Sequence, residues 1–150
     1  MPKFSDISLL RLADVDSHLV EIFMDIIEWY DCFVMYGKRT PAEQANLRRL
    51  GKSKLAVGYH MGRPYHPLTI SSTVREVDLT APACAIDVAS YPYKDPITPK
   101  DYYPFYHFGG LVQATARKHN IELRWGGDWN RNNNLFDQTF NDLVHFELVV

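Results

Sequence analysis

The sequence has few cysteines and little net charge, and each shortage excludes a class of protein. Cys32 and Cys84 are the two cysteines among 150 residues, too few for a disulfide framework or for a zinc site built on thiolates. We interpret both as small apolar side chains in strand-like segments. A formal net charge of -2 at pH 7 gives no electrostatic basis for binding nucleic acid or an anionic membrane.

We also expect neither a targeting segment nor a membrane span. The opening stretch MPKFSDISLLRLADVD has no basic region followed by an apolar core, so we predict no secretory signal. No apolar run approaches the roughly 20 residues that a transmembrane helix requires. The chain has no repeat, no low-complexity tract and no flexible linker, and 46% of it is hydrophobic. These features predict a single domain over residues 1–150, with a core of its own.

Local signals predict helices first and then strands mixed with one more helix. Apolar residues recur at helical spacing over residues 16–30 and again over 102–120. Between them, Thr40 and Glu43 match a capping box, and Gly51 fits the end of that helix. Strand-like apolar runs are CFVMYG, ACAIDVA, IELRW and LVHFELV. This order of elements predicts an α+β fold.

Asp87 is out of place in its surroundings, because residues 83–89 are otherwise apolar. A carboxylate buried without a partner costs on the order of several kcal/mol, so we expect it to bind something. His145 lies in the last apolar strand and shares a strand face with Glu147. A lone histidine there is usually a core residue, but with Asp87 it supplies half of a zinc site. Asp142 could then act as general base.

Five segments of the chain form a specific combination. The chain has RWGGDW at 124–129 and NDLVHFEL at 141–148, preceded by SLLRLADVDSHL, GKRTPAEQANLRRLGKSK and ACAIDVASYP. Together they resemble the zinc peptidases that cut bacterial cell-wall peptides, namely VanY-type D-Ala-D-Ala carboxypeptidases and phage L-alanyl-D-glutamate endolysins. The resemblance covers nearly the whole chain.

The resemblance implies a role for each matching residue. Asp87 and His145 would be zinc ligands, and Asp142 would be the catalytic base. Arg39 would stabilise the oxyanion or hold a substrate carboxylate, for which a guanidinium is well suited. Gln44 would support the substrate site. From the sequence itself we add Trp129, which follows a Gly-Gly pair and could shape a cleft for a peptide.

The chain departs from the family pattern at one metal ligand. The family has a histidine nine residues before the aspartate, and Asp78 stands at that position here. Asp78 could itself bind zinc, in an oxygen-rich site that would also accept another divalent metal. Alternatively, His60 or His66 from the irregular region 53–80 could supply an imidazole. In a third interpretation the site is inactive, and Asp78 is an ordinary surface carboxylate.

The resemblance also implies a fold and a function. The expected fold is a small antiparallel sheet with helices packed on one side, as in VanY-type and hedgehog-related peptidases. The expected function is metal-dependent hydrolysis of a peptide bond in peptidoglycan stem peptides, with zinc as cofactor. The alternative is a degenerate peptidase fold that serves as a structural or wall-binding virion protein and contacts other virion proteins. The expected location is the host cytoplasm before lysis, or the virion.

Overall fold

The computed structural model describes residues 1–53, 58–65, 76–93 and 98–150, which form four helices and two antiparallel sheets. The helices are α1 (Asp6–Leu12), α2 (Ser17–Ile27), α3 (Pro41–Arg49) and α4 (Tyr102–Lys118). The strands are β1 (Cys32–Tyr36), β2 (Arg63–Pro64), β3 (Val77–Asp78), β4 (Ala85–Ser90), β5 (Leu123–Trp125) and β6 (His145–Leu148). Short 3-10 helices cover Tyr59–Met61 and Pro99–Asp101. The prediction of an α+β fold is confirmed.

Helix α3 begins and ends where its local sequence predicts. The hydroxyl of Thr40 accepts a hydrogen bond from the Glu43 backbone N–H at 3.2 Å, and the Thr40 N–H donates to the Glu43 carboxylate at 2.7 Å. This reciprocal pair is the predicted capping box. After the helix, Gly51 adopts a φ of 70°, a left-handed conformation that glycine enters at little cost.

The larger sheet has the strand order β1-β4-β6-β5, and every neighbouring pair is antiparallel. Its edge strand β1 is covered by α1. The hydroxyl of Ser8 accepts from the Val34 N–H at 3.2 Å, and Arg11 donates to the Val34 carbonyl at 2.7 Å. Helix α1 thereby satisfies backbone groups that an edge strand leaves unpaired.

One face of this sheet carries the hydrophobic core. Phe146 of β6 is fully buried and makes edge-to-face contacts with Phe23 of α2 and Phe108 of α4. Ile86 of β4 is paired directly with Phe146 and is also fully buried. Since side chains alternate along a strand, the residues next to these two point to the opposite face. That face carries Asp87 and His145.

The region before β4 has no periodic pattern in its sequence. Its described residues form the 3-10 helix Tyr59–Met61 and the small sheet of β2 and β3. His66, one of the candidate ligands, lies outside the described residues. Within the described ranges, no helix combines the length and apolar character needed to cross a membrane.

Candidate metal centre

Three buried side chains converge on the sheet face opposite α2 and α4. The register of β4 and β6 pairs Asp87 directly with His145, and the Asp87 Oδ1 lies 3.0 Å from the His145 Nδ1. The His60 Nε2 lies 3.1 Å from the same carboxylate oxygen and 3.2 Å from the His145 Nδ1. All three residues are less than 9% exposed. Two imidazoles and one carboxylate thus form a group that could hold a metal ion.

His60 reaches this group because its short helix is fixed to elements on both sides. The Arg39 N–H donates to the His60 carbonyl at 2.7 Å, which ties the helix to the segment before α3. The Cys84 N–H donates to the Tyr59 carbonyl at 2.9 Å, which ties it to the segment before β4. The imidazole therefore projects from an ordered backbone, next to the strand that carries Asp87.

The outer nitrogen of each imidazole faces a group that only accepts hydrogen bonds. The His60 Nδ1 lies 2.9 Å from the Gly37 carbonyl, and the His145 Nε2 lies 2.9 Å from the Glu147 carboxylate. In its neutral form each ring must therefore carry its proton on that outer nitrogen. The inner nitrogens then present lone pairs to each other and to Asp87. Such an arrangement repels itself unless a cation lies between the three atoms, and it is the usual orientation of metal-bound histidines.

The pKa shifts of His145 and Asp87 also favour positive charge next to the Asp87 carboxylate. Burial acts to lower the pKa of His145, but hydrogen bonds to Asp87 and Glu147 outweigh it and raise the pKa to about 10. Burial acts to raise the pKa of Asp87, but the imidazoles of His60 and His145 hold it well below its usual value. The raised pKa of His145 favours its protonated form when no metal ion is bound, and that charge lies beside Asp87.

Arg39 contacts the second oxygen of Asp87. Its Nη2 donates to the Asp87 Oδ2 at 2.8 Å, and its guanidinium lies 5.2 Å from the centre of the Tyr36 ring. The two carboxylate oxygens therefore have separate partners, the imidazoles on one and Arg39 on the other. The Nε of Arg39 is buried and has no hydrogen-bond partner among the described residues.

Asp142 lies in the tight turn just before β6. Its carbonyl accepts from the His145 N–H at 3.0 Å, and its own N–H donates to the Gly126 carbonyl at 2.8 Å. Burial raises the pKa of Asp142, and the charge of Asp87 raises it further. A cavity of about 170 Å³ adjoins it, lined by Tyr102, Asn141, Asp142, Leu143 and Val144.

Trp129 lies beside the metal-binding group of His60, Asp87 and His145. Its ring centre is 5.4 Å from that of His145, and its indole N–H donates to the Phe140 carbonyl at 2.9 Å. Gln44 is buried on α3, and its amide donates to the Ser53 hydroxyl at 3.0 Å. The substrate-binding roles of Trp129 and Gln44 remain predictions.

Asp78, one of the ligands predicted from the sequence, lies in a turn at the end of β3. This residue ends β3, and its Oδ1 accepts from the Thr80 N–H at 2.9 Å and the Thr80 hydroxyl at 2.6 Å. These bonds hold the carboxylate in a turn, and Asp78 is not part of the buried group. His60, the alternative from the sequence, stands beside Asp87 and His145 instead.

The sequence interpretation missed two residues behind His145. Glu147 and Arg124 lie opposite each other on β6 and β5, and their side chains form an ion pair. The available signal was the strand period of two, which already placed Glu147 on the same face as His145.

The described residues thus define an α+β protein with a candidate metal centre of two imidazoles and one carboxylate. The chain belongs to the phage L-alanyl-D-glutamate peptidase family, whose model matches residues 1–149. The fold is similar to the crystal structure of the Serratia marcescens L-Ala D-Glu endopeptidase ChiX, with a TM-score of 0.64 and 21% identity over 97% of this chain and 90% of that chain. No curated protein matches the chain. The predicted family resemblance is confirmed.

Proposed function

We propose that this protein is a metal-dependent peptidase that cleaves the L-alanyl-D-glutamate bond in the stem peptides of bacterial peptidoglycan. The observation that carries the proposal is the convergence of His60, Asp87 and His145, whose facing atoms lie within 4.8 Å of one another. Membership of the phage L-alanyl-D-glutamate peptidase family supports both the reaction and the choice of bond.

Zinc fits the donor set best. Two imidazoles and one carboxylate are the ligands of many catalytic zinc sites, which keep a further position open. With His60 in place of Asp78, the set is no longer oxygen-rich, which weakens the case for a harder metal. When bound, zinc acts as a Lewis acid on the substrate carbonyl and makes water a stronger nucleophile at neutral pH.

The neighbouring residues supply the other requirements of peptide hydrolysis. Asp142 serves as the general base, and its raised pKa brings it closer to the working pH of a base. Arg39 holds Asp87 through Nη2, and its guanidinium supplies positive charge beside a substrate oxygen that becomes negative during reaction. The ring of Trp129 and the cavity beside Asp142 bound the space for the peptide.

A chelator experiment on purified peptidoglycan tests the proposal. We expect the wild-type protein to clear a peptidoglycan gel, EDTA to abolish clearing, and added zinc to restore it. Mass spectrometry of the released fragments should show new L-alanine carboxyl ends and D-glutamate amino ends. Synthetic stem peptides that contain only the D-Ala-D-Ala bond or only the L-Ala-D-Glu bond serve as matched substrates.

Two outcomes would contradict the proposal. Cleavage of the D-Ala-D-Ala peptide alone would show that the enzyme is a D-Ala-D-Ala carboxypeptidase and that the proposed bond is wrong. No cleavage with any divalent metal, together with no metal bound by elemental analysis, would favour the degenerate fold that acts as a structural or wall-binding virion protein.

A further inference from the structure

A buried ion pair of Glu147 and Arg124 lies directly behind His145, and the proposed mechanism does not use it. We propose that Glu147, held by Arg124, is a positioning residue that fixes the His145 ring with Nδ1 toward the metal. This inference rests on the proposed function, because it concerns the same metal centre.

The two oxygens of the Glu147 carboxylate have different partners. The Oε2 lies 2.9 Å from the His145 Nε2, and the Oε1 accepts from the Arg124 Nε at 2.6 Å and also contacts the Arg124 Nη2. The Glu147 side chain is 6% exposed and that of Arg124 is 11% exposed. A carboxylate this buried needs a charge partner, and Arg124 supplies it while it fixes the rotation of the carboxylate.

The strand geometry makes this arrangement specific to one ring orientation. His145 and Glu147 are two residues apart on β6, so their side chains stand side by side on one face. Rotation of the imidazole by 180° would move Nε2 away from Glu147 and Nδ1 away from Asp87. The hydrogen bond to Glu147 therefore selects both the rotamer and the tautomer in which Nδ1 carries the lone pair.

Glu147→Gln is the sharpest variant, because it keeps the shape and reverses one hydrogen bond. Arg124 donates to the Oε1 position, so the amide oxygen of glutamine will face Arg124 and its NH₂ will face the His145 Nε2. That nitrogen must then accept, which moves the ring proton to Nδ1. We expect zinc affinity to fall by about 10- to 100-fold, the range for residues that support a metal ligand.

The test combines zinc affinity, from competition with a chromophoric chelator, with the ¹⁵N shifts of the His145 ring. Adding Arg124→Leu to Glu147→Gln frees the amide to turn its oxygen toward Nε2, and we expect this double variant to bind zinc more tightly than Glu147→Gln alone. In the zinc-loaded wild-type protein, the His145 ring should be protonated on Nε2 and coordinated through Nδ1. This measurement does not depend on whether the variants fold.

The outcomes separate this inference from the proposed function. If wild type binds zinc and either Glu147→Gln binds it equally well or His145 coordinates through Nε2, the inference is wrong and the metal centre stands. If the double variant is no tighter than Glu147→Gln, the tautomer explanation is wrong. If wild type binds no zinc at all, the proposed function itself fails.

Discussion

Replacing His60 with alanine is expected to abolish zinc binding and peptidase activity. The variant leaves Asp87 and His145 as two ligands, whereas catalytic zinc sites use three protein ligands. The loss should exceed the roughly 10- to 100-fold effect of a supporting residue, because a ligand itself is removed. Zinc per chain after dialysis, measured by elemental analysis, and cleavage of an L-Ala-D-Glu peptide check this expectation.

The fold should survive the substitution. His60 lies in a three-residue 3-10 helix whose backbone bonds to Arg39 and Cys84 do not depend on the imidazole. Removal of the imidazole also removes its hydrogen bond to the Gly37 carbonyl, so we expect the free energy of unfolding to fall by about 1–3 kcal/mol. Urea unfolding of the zinc-free proteins measures this change without a contribution from bound metal.

Asp78→Asn is the matched control for His60→Ala. Asp78 stands at the family's histidine position in the sequence, but its carboxylate is occupied by Thr80 in a turn. We expect this variant to retain the zinc content and activity of the wild type. Normal zinc binding by His60→Ala together with loss of zinc in Asp78→Asn would contradict the assignment of His60 as a ligand. It would support Asp78 as the ligand, as the family spacing predicts.

Much of the fold could be predicted because its signals are local. The capping box at Thr40 and the apolar run around Asp87 each depend on a few neighbouring residues, and both elements are present in the structure. The break between α1 and α2 is also local, since Asp16 caps α2 by accepting from the His18 N–H. The predicted helix over residues 16–30 accordingly appears as Ser17–Ile27.

The site was harder to predict because its parts meet only through tertiary structure. Asp87 and His145 could be paired from the sequence, since both lie in apolar strands where a polar group needs a partner. His60 lies in a region without hydrophobic periodicity, and its short helix is held by hydrogen bonds to the segments before α3 and β4, which the sequence does not display. The family spacing leads to Asp78, which lies in a turn with Thr80, because residue spacing alone does not show which side chain comes close to Asp87 and His145.

Asp142→Asn is expected to separate catalysis from metal binding. Asparagine keeps the shape of the side chain but cannot take a proton from water, so we expect kcat to fall by about 10²- to 10⁴-fold, the usual contribution of a general base. Zinc content should be unchanged, because Asp142 is not part of the group formed by His60, Asp87 and His145. The measurement pairs kcat on the L-Ala-D-Glu peptide with elemental analysis of the same preparation.

Stability provides an independent check on this variant, and its sign follows from the raised pKa of Asp142. A carboxyl group whose pKa is higher in the folded state than in the unfolded state binds protons more strongly when folded, so its ionisation at neutral pH opposes folding. Asparagine removes that charge, and the zinc-free variant should therefore melt at the same temperature as the wild type or higher at pH 7. A lower melting temperature of the Asp142→Asn variant would show that Asp142 supports the fold.

The other two measurements test the catalytic role. A wild-type kcat in Asp142→Asn would show that another residue is the general base. Loss of zinc in Asp142→Asn would make Asp142 a ligand, because a carboxylate that acts only as a base does not change how much metal the protein holds.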